Sequence, residues 1–247
     1  MELKKNLNAK FASKLSTIEQ EVETIWGKGE LYHVYYTLHG LKHSNYVIDV
    51  LEKLIRGLNP TEHLNDTETF CLLSAAYLHD VGMQIQSPDD EKIAAQLSES
   101  KNKPYTVPDL IRDEHHKRSG RYIKEHANDL KLDHMESECI RLISEGHRQV
   151  KLESKDYEDQ TIGLEVVRIR LLSALLRLAD ELDITYQRAP KIIFDVLKVD
   201  MPDDSYLQWI KHYYTSGVRI DTLQQENGKK KTSIEVSCYY PNEDVGR

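Results

Sequence analysis

Residues 71–82 read CLLSAAYLHDVG, an apolar run that closes on His79-Asp80 and turns at Val81-Gly82. The run is apolar on most sides, so the segment 66–79 is expected to be the central helix of a mainly helical domain, opened by the N-cap cluster Asp66-Thr67-Glu68-Thr69. An imidazole next to a carboxylate at the end of such a helix suits a hard or borderline divalent metal better than it suits a core. Two polar residues do not make a site, but these have company. His43 lies upstream in LKHSNYV, and His115-His116, His147, Asp180 and Asp183 lie downstream. The steps from His43 to His79, Asp80 to His116, His116 to His147 and His147 to Asp180 are 36, 36, 31 and 33 residues. Each step is about the length of a helix, a loop and a return leg, so an antiparallel bundle brings all of these residues to one depth.

Outward from that helix, a period of three to four dominates as far as about residue 188. Residues 8–25 place Phe11, Leu15, Ile18, Val22 and Ile25 on one face, and His43 opens a second stripe through Val47, Val50, Leu51 and Leu54 that stops at Gly57 and Pro60. Residues 87–110 mix a short helix with a polar loop bounded by Pro104 and Pro108, a candidate rim or lid. Helices are expected over 112–128, 136–146 and 164–184. Composition shifts after Ala189-Pro190. The runs 216–225 and 230–240 alternate around Glu226-Asn227-Gly228-Lys229, a hairpin signal, with 191–199 as a third strand and 205–214 as a helix beside it. The expected fold is mainly α: an antiparallel helical bundle over residues 1–190 with a small hairpin-containing α/β appendage over 191–247. The stop in PNEDVGR, without a terminating element, suggests one module of a longer polypeptide with additional domains.

With 247 residues, 39% hydrophobic and 30% charged, the chain can bury one core of ordinary domain size plus a small appendage. The net charge of −8 argues against long nucleic acid as a partner and leaves a small metal-held phosphate acceptable. Cys71, Cys139 and Cys238 have no paired spacing and read as buried, reduced thiols. The N-terminus has no apolar core of a signal peptide, and no stretch approaches the ~18 apolar residues of a membrane span, so a cytoplasmic protein with no membrane partner is expected.

The order His43, His79-Asp80, Asp180 resembles the HD superfamily of metal-dependent phosphohydrolases. The longer pattern of the HD-GYP group has counterparts in His116 with Gly120, in His147, and in Ala179-Asp180-Glu181-Leu182-Asp183 with Arg188. Met83 stands where that group has Lys, and Arg148-Gln149 follows the late His, so cleavage of cyclic dinucleotides is not implied. The segment YTLHGLKHS, residues 36–44, is closer to the HD-CE type, found as one module of larger bacterial proteins. The resemblance covers roughly residues 30 to 192 and implies an HD-type bundle.

Imidazole and carboxylate donors together favour Mn, Fe, Zn or, with waters, Mg. His43, His79, Asp80 and Asp180 complete one site; His116 and His147 would serve a second ion, with Asp80 bridging and so the expected catalytic residue. His115 lies about 100° around the helix from His116 and reads as a neighbour. A contact with a helix C-terminus is the competing reading for His147. His39 is expected to contact substrate or to sit behind the ligands, and Asp183 to cap or orient. His33, His63, His126, His134 and His212 read as surface residues. Among basic residues near the ligands, Arg188, Arg148 and Arg118 are the expected phosphate contacts, with Lys117, Arg121 and Arg177 also nearby; each taken alone more often is solvated or ion-paired. The expected function is hydrolysis of a phosphoester of a nucleotide or related small metabolite by metal-activated water, with one or two divalent ions. The alternatives are a nucleotide-sensing or effector module with a structural or slow metal site, and a di-iron oxygenase.

Overall fold

A computed structural model describes residues 2–27, 35–58, 63–225 and 230–239. Helices α1 (Glu2–Lys5) and α2 (Ala9–Trp26) lead to α3 (Leu41–Arg56) and α4 (Asp66–Leu78). A 3-10 turn over Val81–Gln84 precedes α5 (Asp90–Lys101), α6 (Val107–Glu125) and α7 (His134–Glu145). The short antiparallel pair β1 (Gln160–Ile162) and β2 (Glu165–Val167) leads into α8 (Ile169–Glu181), α9 (Lys191–Leu197) and α10 (Asp203–Tyr213). The antiparallel hairpin β3 (Thr215–Gln224) and β4 (Lys230–Cys238) follows.

Helix α4 is central because its sequence leaves it no solvent face: every residue from Phe70 to Leu78 is buried. Around it pack α2, α3, α7 and α8, each with one apolar stripe. The start of α4 is fixed by a reciprocal cap, Asn65 Oδ1 accepting from Glu68 N and Glu68 Oε2 accepting from Asn65 N, an arrangement that contributes about 1 kcal/mol. Arg168 donates to the same carboxylate at 2.6 and 2.8 Å, so the beginnings of α4 and α8 are tied together. The opposite end of α4, carrying His79-Asp80, is thereby held at one depth relative to Asp180 at the end of α8.

Three expectations about elements need correction. Within 191–199, Lys191–Leu197 forms α9 rather than a third strand, and each sheet among the described residues has two strands. Pro190 presets φ for a helix start, Phe194 turns inward to stack on Trp209 at 5.8 Å, and Ile192, Val196 and Val199 stay exposed. Their mixture of apolar and polar positions had suggested a pleated run. The last long helix begins at Ile169, not 164, because Glu165–Val167 pairs with Gln160–Ile162 around Gly163 at φ +62°. Pro108 lies in the first turn of α6, behind the Thr106 cap, where its missing N–H costs nothing. Cys71 and Cys139 are buried, whereas Cys238 is exposed. The hairpin turn at 226–229, Pro60, His33 and the terminal PNEDVGR lie outside the described residues.

A second, smaller core joins Ala189, Phe194, Met201 and Trp209 with Tyr35. Trp209 Nε1 donates to Tyr35 O at 2.8 Å, and Leu38 and Arg188 bond each other twice at 2.9 Å, from Leu38 N to Arg188 O and from Arg188 Nε to Leu38 O. The segment before α3 and the appendage are thus stitched together beside the metal-ligand candidates.

Candidate metal centre

Five parts of the chain deliver the cluster: α3 gives His43, the C-cap of α4 gives His79 and then Asp80, α6 gives His115, the end of α7 gives His147, and α8 gives Asp180. Gly40, at φ +99°, is the N-cap that starts α3 just before His43; this left-handed backbone suits glycine. The His79-Asp80 corner is clamped to α6 by Ser119, whose Oγ donates to His79 O at 2.6 Å and accepts from Gly82 N at 2.8 Å. Gly82 makes that approach possible, because a Cβ there would meet His115 O at 2.1 Å and Ser119 N at 2.6 Å.

Two groups of donors result. His43, His79 and Asp180 form the first, with His43 Nε2 lying 3.1 Å from His79 Nε2 and 3.2 Å from Asp180 Oδ1. Asp80, His115 and His147 form the second, His115 Nε2 lying 2.9 Å from His147 Nε2 and 3.3 Å from Asp80 Oδ1. Asp80 faces both: its Oδ2 is 3.4 Å from His43 Nε2 and 3.3 Å from His79 Nε2. Every imidazole is aimed by its other nitrogen. The Nδ1 of His79, His115 and His147 meet the carbonyls of Ala76, Arg112 and Ser144 at 3.0, 2.5 and 2.5 Å, and His43 Nδ1 meets Asp183 Oδ2 at 2.6 Å. Acceptors on Nδ1 place the proton there and turn each Nε2 lone pair toward the cluster, the arrangement used to orient metal-binding imidazoles.

The electrostatics call for positive charge. Burial alone would raise the carboxyl pKa of Asp80, but His79, His115 and His43 hold it well below the usual range, and Asp180 is lowered by His43 and His79 against the same burial penalty. Burial lowers the pKa of His79, yet Asp80 and Asp180 prevail and lift it to about 10; His43 rises to about 9 against burial and Arg188. A divalent cation competes for the sites those protons occupy. Nitrogen and carboxylate oxygen donors, with no thiolate, fit Mn, Fe, Zn or Mg.

The residues expected to serve the site fall into three sets. His43, His79, Asp80, His147 and Asp180 converge. His116 does not: α6 turns His115 into the cluster, and His116 points away with its buried Nδ1 unpartnered and its pKa pushed down to about 4 by burial and the charge of His115. The His116–Gly120 spacing reflects packing, since a Cβ at Gly120 would strike Glu145. Arg118 is also redirected. Its guanidinium makes a buried two-pronged pair with Asp90 at 2.7 and 2.8 Å and does not line the cavity. Arg177 is spent on the carbonyls of Gly146 and Val150, and Lys117 and Arg121 are exposed. No residue of the 87–110 segment lines the cavity.

The cluster opens into a cavity of about 230 Å³ whose wall carries Arg148, Arg188 and His39, and also Arg112, Lys211 and His212. His39 stacks on Trp26 at 6.3 Å and meets His43 edge-on at 5.9 Å. His212 is 4% exposed rather than a surface residue. Arg112, three positions before His115 on the same helix, had a spacing that could have revealed it. Lys211 and His212 had none, because no periodicity in the sequence says where α10 docks.

A helical bundle that gathers His and Asp in this order around paired donor groups is an HD-type domain. The HD-CE family model matches residues 34–241, and the chain belongs to that family. The match runs across residue 190 into the appendage that lines the cavity. No curated protein and no solved structure matches the chain. Among the described residues no helix is long and apolar enough to cross a membrane.

Proposed function

We propose that the chain is a metal-dependent phosphohydrolase acting on a phosphoester of a small metabolite of the nucleotide class, with two divalent ions held by His43, His79 and Asp180 on one side and His115 and His147 on the other. One observation carries this reading: Asp80 turns one oxygen to each donor group beside a cavity walled by basic side chains. Bound divalent ions supply Lewis acidity and lower the pKa of coordinated water to about 7, so no Ser, Cys or Lys nucleophile is required. The residues of the chain do the rest. The Nδ1 contacts fix the imidazole planes, Asp183 holds His43 in place, and Arg148 and Arg188 bind phosphate oxygens with directional N–H donors.

The test is a screen of nucleotides, cyclic dinucleotides and generic phosphoesters with Mn-supplemented protein. Chelator-sensitive release of phosphate or nucleoside, lost in Asp80→Ala with helicity retained, is the expected result. Metal-replete protein that binds nucleotide but releases no product would replace this reading with a sensing or effector module. A coloured, oxygen-sensitive di-iron spectrum would replace it with an oxygenase.

A further inference from the structure

Helix α10 belongs to no part of the metal-ligand pattern, yet Ser205, Gln208, Lys211 and His212 line the cavity beside Asp80 and Asp180. They recur at spacings of three, three and one, a polar stripe on one side of the helix. Trp209, four positions after Ser205 and three before His212, flanks the stripe and is fully buried against Phe194 and bonded to Tyr35 O at 2.8 Å. The stripe is therefore held in place by a packed anchor rather than lying loosely over the opening.

Two features of the stripe ask for a ligand. His212 is 4% exposed, its Nδ1 is buried without a hydrogen-bond partner, and it lines the cavity. Among the described residues the Lys211 ammonium makes no hydrogen bond or ion pair, although Glu181, Arg188, Asp180 and Arg112 all act on it through space. Arg112 lies over the Tyr36 ring at 4.9 Å. The cavity is lined by the carboxylates Asp80, Asp180, Glu181 and Asp183 and by the basic side chains Arg112, Arg148, Arg188 and Lys211. Those charges offset one another, so the two divalent ions of the proposed function would leave an excess of positive charge that a single phosphate, at most about −2, does not balance.

We propose that Lys211 and His212 of α10, with Arg112 of α6, form a second anion subsite, and that the substrate carries a second phosphate joined to the one attacked. The identity of the first phosphate rests on the hydrolase reading; the subsite itself does not. Lys211 contributes a mobile point charge, Arg112 a planar pair of donors, and His212 one directional hydrogen bond.

The test uses the metal-loaded full chain and two non-hydrolysable probes, methylenediphosphonate and methylphosphonate, titrated calorimetrically. Wild type should prefer the diphosphonate by about tenfold or more, and Lys211→Ala should cut that preference to about threefold or less. Metal content and methylphosphonate affinity should stay unchanged in the variant, and Lys211→Arg should recover most of the preference. A wild-type preference retained in both Lys211→Ala and Arg112→Ala overturns the subsite, whatever the enzyme turns over. Conversely, a Lys211-dependent preference in a chain that hydrolyses no phosphoester upholds the subsite and removes only the hydrolase reading.

Discussion

His115 and His116 differ by one position and about 100° of helix rotation, and that rotation separates an imidazole 3.3 Å from Asp80 Oδ1 from one with a partnerless Nδ1. His115→Ala should therefore lower the divalent metal content by about one ion per chain while His116→Ala keeps the wild-type count, measured by elemental analysis. Equal counts in the two variants would contradict the two-group assignment. A second residue-level expectation concerns Asp90. The Arg118 hydrogen bonds lower its carboxyl pKa below the ordinary 3.8, with burial opposing. A depressed folded-state pKa means the pair's contribution is complete above the unfolded value and is lost as pH falls through the lower folded value. Asp90→Asn should cost about 3 kcal/mol at pH 7, because it leaves a buried guanidinium uncompensated, and the gap from wild type should shrink below about pH 4. Urea denaturation at neutral and acid pH reads this; a gap that does not change with pH counts against it. That His79, Asp80, His43 and Asp180 meet was legible because dipeptide, order and spacing all agree. The phase of α6 was not, because both histidines sit in one polar stretch and only the partner helix decides which faces inward.

The corner that follows α4 depends on how closely a turn can approach a helix. Gly82→Ala would drive its new methyl into the backbone of His115 and Ser119, which cannot swing aside like a side chain. The 3-10 turn must then lift from α6, at a cost of roughly 1–3 kcal/mol, and carry Asp80 away from His115 and His147. A lowered urea midpoint together with selective loss of one ion is expected; unchanged values for both would show that the close approach is dispensable. The helices themselves were legible wherever a stripe met a packed neighbour, as in α2, α3 and α8. Helix α9 was not, because a seven-residue helix with two exposed β-branched residues, Ile192 and Val196, carries no period long enough to tell it from a strand. The three-residue strands β1 and β2 escaped for the same reason.

Across the whole molecule, a change of composition after residue 190 was legible, but not that the segment beyond it returns to the cavity. That return depends on Trp209, Phe194 and Tyr35 meeting, and nothing local in α10 encodes a partner 174 positions away. The His43–Asp183 hydrogen bond likewise joins residues 140 apart. Such separations bear on the order of events during refolding. Isolated helices form in about 0.1–1 μs, whereas contacts between distant parts of the chain wait for slow loop closure. Far-UV ellipticity should thus recover before the chain regains the ability to bind a cobalt(II) probe in stopped-flow refolding, with the lag set by the docking of α8 against α3. Simultaneous recovery of the two signals would mean that the ligands are gathered in the first collapse, before the bundle has finished assembling.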